Sequence, residues 1–231
     1  MDIAIYIFDK LTALDAIGPY EVLQRLPGAK VKFVGSERGP VRTEQGMLGV
    51  VRDFSFDEVT NAEILVVPGG IGTRALIDDQ PTLEWIRAID AGSNWTTSVC
   101  TGSLLLGAAG LLQGKEATTH WAALEVLERF GAIPTSERVV EQGKIITAAG
   151  VSSGIDMALR LAAKVAGPEA AQAIQLGIEY DPQPLRHRLE GESSRPHRGA
   201  RHGRPQAGSG SRPSEVIPAE LAWVRRVSAA K

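Results

Sequence analysis

The sequence predicts a doubly wound α/β domain, a mainly parallel sheet with helices on both faces. Three observations carry this expectation. Strand-like and helix-like segments alternate through most of the chain, the pattern of parallel strands joined by crossover helices. The run Ile64-Leu65-Val66-Val67 is continuously apolar and stops at Pro68-Gly69-Gly70, as a strand buried on both faces does. Residues 95–99 form a third signal, a strand that runs into Cys100 and then directly into the small, apolar stretch 101–109.

The remaining elements follow in chain order. Residues 2–8 alternate Ile3, Ile5 and Ile7 and predict the first strand. Gly18-Pro19 opens a short helix with Pro19 at its first position and Val22, Leu23 and Leu26 as its apolar face. This places Asp15 in the loop after the first strand. Residues 31–34 predict a strand, and 41–56 carry turn signals and short β runs, as a hairpin does. A helix is expected over 81–91. Gly114 marks a turn, and Trp121, Leu124 and Leu127 give 121–130 helical spacing. Residues 145–148 predict a strand, and 154–165 and 168–178 predict helices.

Bulk properties bound the function. The 231 residues suit one α/β domain with a sizeable core, and 43% hydrophobic residues argue for a globular chain. A formal net charge of -2 gives no case for nucleic-acid binding. No apolar run approaches the roughly 20 residues of a membrane span. The amino terminus reads as a strand, without the basic region or cleavage site of a secretory signal, so a cytoplasmic protein is expected. The composition changes at Asp181. We divide the chain into an α/β domain at 1–184 and a basic Gly/Pro/Arg-rich tail at 185–231. The tail is too polar to offset its ordering entropy, and its end, 217–227, has the pattern expected of one short amphipathic helix. A polyanion-binding role for its arginines is disfavoured, because nothing aromatic interleaves them.

Cysteine and histidine counts narrow the chemistry. Cys100 is the only cysteine, which excludes an intrachain disulfide and a thiolate metal cluster. His187, His197 and His202 lie in the tail, leaving His120 alone in the probable core. Cys100 sits at a nucleophile elbow, where a sharp strand-to-helix turn lifts a side chain above the sheet edge. Gly102 and Ser103 leave room for the turn, and the helix amino terminus favours thiolate over thiol. Gly69 and Gly70 let backbone approach a ligand closely, and the Gly70 and Thr101 amides together suit an anion hole. Asp15, flanked by Leu14 and Ala16, suits either a capping residue or a carboxyl of raised pKa. His120, alone before a helix, fits a structural role better than a catalytic one.

In this order, these segments resemble the DJ-1/PfpI superfamily over roughly residues 3–184. The resemblance rests on residues 98–121, from Ser98-Val99-Cys100-Thr101-Gly102-Ser103 to Thr119-His120-Trp121. It rests equally on Thr147-Ala148-Ala149-Gly150-Val151-Ser152-Ser153-Gly154-Ile155-Asp156. Within the superfamily the match is to the isocyanide hydratase branch, of which Asp15-x-x-Gly18-Pro19 is typical where DJ-1-type proteins carry Glu. The resemblance implies a flavodoxin-like sandwich, a homodimer, a catalytic Cys100 and an acidic partner at Asp15. It implies hydration of an organic isocyanide to an N-substituted formamide through a covalent thioimidate, with no metal or organic cofactor. Thr101 would hydrogen-bond Asp15, and Ile17 and Ile71 would line the pocket for the R group.

Two departures matter. PfpI-type proteases and glyoxalase-like members carry His directly after the nucleophile, where this chain has Thr101. That sets the glyoxalase or deglycase alternative behind the hydratase, beside a redox-responsive or small-molecule-sensing protein. Second, hydratase-like sequences continue past Glu179-Tyr180-Asp181-Pro182-Gln183-Pro184 with Pro-Phe-Asp-x-Gly-Ser, whereas this chain continues Leu185-Arg186-His187. Codons for the seven residues Leu185-Arg186-His187-Arg188-Leu189-Glu190-Gly191 can be read one base later as Phe-Asp-Thr-Gly-Ser-Lys, which points to a frameshifted carboxy terminus.

Overall fold

The computed structural model describes residues 1–183. The end of the expected domain, the basic tail and its terminal helix lie outside the described residues. Strand β1 (Asp2–Tyr6) leads into helix α1 (Ala13–Leu23), followed by β2 (Lys30–Gly35). Strands β3 (Gly39–Arg42) and β4 (Gly49–Arg52) form the expected antiparallel hairpin, and β5 (Phe54–Ser55) then pairs with β2. Next come β6 (Ile64–Val67), the short α2 (Thr73–Leu76), α3 (Gln80–Gly92), β7 (Trp95–Val99) and α4 (Gly102–Ala108). Strands β8 (Glu116–Ala117) and β9 (Ile133–Pro134) flank a 3₁₀ helix, Trp121–Phe130. The described chain closes with β10 (Val139–Gln142), β11 (Ile145–Ala148), α5 (Ser153–Ala166) and α6 (Pro168–Gly177).

Seven strands form the main sheet in the order β10-β11-β7-β6-β1-β2-β5. All its pairings are parallel except β10 with β11. Its central strand β6 is apolar on both sides; Ile64, Leu65, Val66 and Val67 are fully buried. Each such side chain contributes about 1.5–3 kcal/mol relative to exposure. Helices cover the two faces in separate groups, α1, α5 and α6 on one side and α2, α3 and α4 on the other. Strand β7 shows the division. Thr96 turns its hydroxyl to Asp90 of α3 at 2.6 Å, while Val99, on the opposite face, packs against Gly154 of α5. The chain winds one way from β1 to β2 and the other way from β6 to β7 and β11. The order therefore reverses between β1 and β6, and a crevice opens at the carboxyl ends of the strands there.

The sequence reading needs correction at four places. Helix α1 starts at Ala13, so Pro19 lies inside it and Asp15 is in its first turn rather than in a loop. Thr12 N–H is bound by the Gly69 carbonyl at 2.9 Å, which fixes the start of the helix one residue before Ala13. Pro19 then lacks the N–H that would reach the Asp15 carbonyl. The segment 121–130 is a 3₁₀ helix, in keeping with the three-residue spacing of Trp121, Leu124 and Leu127. The segment 41–56 holds more than a hairpin, because β5 leaves it for the main sheet. Strand β10 was not anticipated; with only Val139 and Val140 buried, its pattern is too short to mark an edge strand.

Close approach at the sheet edge demands small residues. A Cβ on Gly102 would lie 2.1 Å from the Val67 carbonyl oxygen, which backbone cannot yield. Gly102→Ala should lower stability by about 2–3 kcal/mol in urea unfolding. Gly177→Ala, at the end of α6 with nothing within 4 Å of the added carbon, should leave the midpoint unchanged or raise it slightly.

Candidate functional site

Cys100 ends β7 and precedes α4 with φ of +55°, a conformation rare for a residue with a side chain. The surroundings impose it. Its N–H bonds the Ala148 and Ala149 carbonyls at 3.1 and 3.0 Å, and its carbonyl accepts the Thr119 hydroxyl at 2.8 Å. Held at both ends, the residue turns its sulfur over the carboxyl edge of the sheet, with 5% of its surface exposed. The N–H groups of Thr101 and Val151 point at the sulfur.

Asp15 faces the thiol from α1. It is fully buried, and its Oδ2 accepts the Gly69 N–H at 3.0 Å. Its Oδ1 receives no N–H or O–H; the polar group beside the carboxyl is the Cys100 thiol. Burial pushes the Asp15 pKa up to about 7, against the pull of the Gly69 N–H and the thiol, and the charge of Glu44 adds to the rise. The Cys100 thiol is also pushed up, first by burial and then by the Asp15 charge, and the Thr101 and Val151 amides offset this only in part. The expected stabilisation of a free thiolate by the helix end is therefore outweighed. Burial and the Asp15 charge both favour the protonated sulfur, and the proton acceptor beside it is the Asp15 carboxylate.

The glycines earlier proposed for an anion hole have other partners. Gly69 gives its N–H to Asp15. Gly70, at φ +135°, gives its N–H to Thr101 Oγ1 at 3.0 Å. The amides that converge on the sulfur are those of Thr101 and Val151, not Thr101 and Gly70. Thr101 Oγ1 also donates to the Gly70 carbonyl at 3.2 Å and lies 3.2 Å from Thr73 Oγ1. The expected hydroxyl bond from Thr101 to Asp15 is replaced by this tie to the loop after β6. Neither glycine tolerates a side chain: a Cβ at Gly69 would come 2.5 Å from the Thr101 nitrogen, and one at Gly70 2.5 Å from that of Thr12.

The structure thus brings Cys100, Asp15, Thr101, Gly69 and Gly70 together. Ile71 is half-buried at the rim, where its N–H bonds Glu44 Oε1 at 2.9 Å. Ile17 is half-buried on α1, but two residues along a helix turn it away from the side of Asp15, and no described contact brings it to the sulfur. His120 caps the 3₁₀ helix, its Nδ1 accepting the Ala122 N–H at 3.3 Å, as its structural role requires. Burial lowers the His120 pKa.

Two site residues escaped the sequence reading. Val151, at φ +37°, is a β-branched residue in left-handed backbone, and only its N–H reaches the sulfur. The Gly150-Val151 step after β11 was the available signal. Glu44 lies in the β3–β4 turn, and nothing in its neighbourhood in sequence marks it.

Fold and site together define a flavodoxin-like α/β protein with a cysteine on a strand-to-helix elbow beside a buried carboxyl. Residues 1–164 match the family model described as DJ-1/PfpI family, and the chain belongs to that family. It is 44% identical over 184 residues to an isonitrile hydratase of Pseudomonas putida, covering 80% of each chain. It is 29% identical to the HTH-type transcriptional regulator CdhR of Pseudomonas aeruginosa, covering 71% of this chain and 49% of the regulator. Among solved structures, a ThiJ/PfpI family protein from Pseudomonas syringae superimposes with a TM-score of 0.77 at 40% identity, covering 79% of this chain and 76% of that one. Drosophila melanogaster DJ-1beta shares the fold, with a TM-score of 0.70 at 22% identity over 78% of this chain and 98% of that one.

The raised Asp15 pKa has a consequence for stability. In the unfolded chain the carboxyl ionises near its usual value of 3.8, and in the folded chain only near 7. Between these values the unfolded state loses its proton first, so Asp15 destabilises the fold increasingly as pH rises through that window. The slope is at most about 1.4 kcal/mol per pH unit. Urea unfolding of Asp15→Asn beside the parent, from pH 4.5 to 7.5, should show the difference moving steadily in favour of the variant. A constant difference would place the Asp15 ionisation near its ordinary value.

Proposed function

We propose that this chain hydrates organic isocyanides to N-substituted formamides, with Cys100 as nucleophile and Asp15 as the proton-handling group. The observation that carries this is the thiol set against a buried, otherwise half-satisfied carboxyl. The 44% identity to an isonitrile hydratase supports the same chemistry.

The isocyanide, R–N≡C, has a terminal carbon that accepts a soft nucleophile while offering its lone pair to a proton. Asp15 as carboxylate takes the thiol proton as the sulfur adds to that carbon. The same proton then goes to the carbon, giving the thioimidate R–N=CH–S–Cys100. The Thr101 and Val151 N–H groups steady the sulfur while it carries charge. Asp15 next takes a proton from water as the oxygen adds to the thioimidate carbon and passes it to the nitrogen, giving R–NH–CH(OH)–S–Cys100, whose hydroxyl proton is the one left for the sulfur. Collapse breaks the C–S bond, releases R–NH–CHO and returns the proton to the sulfur. One water is consumed, and no metal or organic cofactor enters.

A redox-sensing role fits less well, because oxidation to sulfinate proceeds from the thiolate and the environment here favours the thiol. A glyoxalase or deglycase would lack the histidine that follows the nucleophile in such members. His120, turned to its own helix end, does not replace it.

Incubation with an aryl isocyanide, followed by formamide absorbance, tests the proposal. Cys100→Ala should form no formamide above the uncatalysed rate. Asp15→Asn should lose about 10²- to 10⁴-fold in kcat, the usual contribution of general acid–base catalysis. For the parent protein, kcat/KM should rise with pH through about 7 as Asp15 gains the charge that lets it accept the thiol proton. Formamide production by Cys100→Ala at the parent rate would end the proposal.

A further inference from the structure

The site carries a second carboxylate that the proposed chemistry does not use. Glu44 lies in the exposed turn of the β3–β4 hairpin, and its Oε1 accepts the Ile71 N–H at 2.9 Å. Its own N–H bonds the Leu11 carbonyl at 3.2 Å, and Lys10 N–H bonds the Arg42 carbonyl at 2.6 Å. Gly72 N–H in turn bonds the Lys10 carbonyl at 3.1 Å. The hairpin turn is thus stitched to the loop after β1, which leads to Asp15, and to the loop after β6, which holds Gly69 and Gly70. The charge of Glu44 acts on both Asp15 and His120. Glu44 is exposed where Asp15 and Cys100 are buried, and its bond to Ile71, one residue beyond the Gly70 that the Thr101 hydroxyl holds, keeps its carboxylate beside the site on the solvent side.

We propose that Glu44 is a specificity-determining residue whose carboxylate, at the mouth of the Cys100 site, repels anionic reactants and leaves the sulfur to neutral or cationic ones. For the hydratase reading, on which this last step rests, the substrates are isocyanides whose R group bears no negative charge. Asp15 lies deeper and adds to the same sign of field whenever it is ionised. A unit charge several ångströms from an approaching anion, in a partly hydrated mouth at physiological salt, gives roughly three- to tenfold discrimination.

The single cysteine allows a test that does not depend on the proposed reaction. The full-length protein is treated at pH 8.5 with iodoacetamide, which is neutral, or iodoacetate, which is anionic, and alkylation of Cys100 is followed by intact mass. N-acetylcysteine amide serves as an uncharged reference thiol. The ratio of the two rates is read, so a general change in thiol reactivity cancels. In the parent protein the neutral-to-anionic ratio should exceed the reference by about three- to tenfold, and added salt should shrink the excess. Glu44→Gln, whose amide oxygen still accepts the Ile71 N–H, should bring the ratio back toward the reference. A parent ratio equal to the reference, or one unmoved by Glu44→Gln, overturns the role of Glu44. A parallel series of aryl isocyanides bearing para-methyl, aminomethyl or carboxylate groups extends the test to turnover. There kcat/KM should be lowest for the carboxylate, by a margin that narrows in Glu44→Gln. An intact alkylation contrast with no isocyanide turned over sinks the hydratase reading and sustains the role of Glu44.

Discussion

A thiol facing a buried carboxyl is the constraint around which this molecule is arranged. The negative charge of Asp15 disfavours a second one on Cys100, so near neutral pH the pair carries at most a single charge. The Gly69 N–H steadies one end of the pair and the Thr101 and Val151 amides steady the other. Among the interactions that favour charge on the pair, those of the Gly69, Thr101 and Val151 N–H groups come first. The polarity of the site comes from fixed backbone dipoles, which need no reorganisation as charge shifts between them.

Holding the pair together costs backbone freedom. Two residues with side chains, Cys100 and Val151, lie in left-handed conformation, and both touch the sulfur or carry it. Such positions cost of order 1–3 kcal/mol each and persist only where neighbours over-determine them. Here the neighbours are Ala148 and Ala149 behind Cys100, Thr119 on its carbonyl, and the crowded glycines of the two adjacent loops. The small residues around the elbow are thus a requirement of the strain, since a larger one would relieve it by moving the sulfur.

Much of this was legible in the sequence because its signals are local. A continuous apolar run ending at Pro68-Gly69-Gly70 marks a buried strand end, and a strand meeting small helical residues at Cys100 marks an elbow. The bond pattern between these segments was not legible. Whether the Gly70 N–H turns to a ligand or to the Thr101 hydroxyl depends on two loops far apart in sequence meeting at the crevice. Asp15 was placed in a loop because Pro19 commonly starts a helix, whereas the tie between Thr12 and Gly69, across more than fifty residues, starts it earlier. Val151 reaches the sulfur only because β11 pairs with β7, and pairing between distant strands leaves no mark on either one. The balance that keeps the thiol protonated is likewise a property of burial, which a lone cysteine in a sequence does not report.

The β3–β4 hairpin stands outside the main sheet, and its turn is exposed apart from the backbone stitches that hold it over the crevice. The elbow, by contrast, is locked on every side. The proposed selection at Glu44 and the proposed chemistry at Cys100 therefore fall in parts of the chain with very different freedom to change. Residues in the turn can be exchanged without disturbing the strained backbone below. A lineage built on this scaffold can diversify what it admits while the reacting groups stand still.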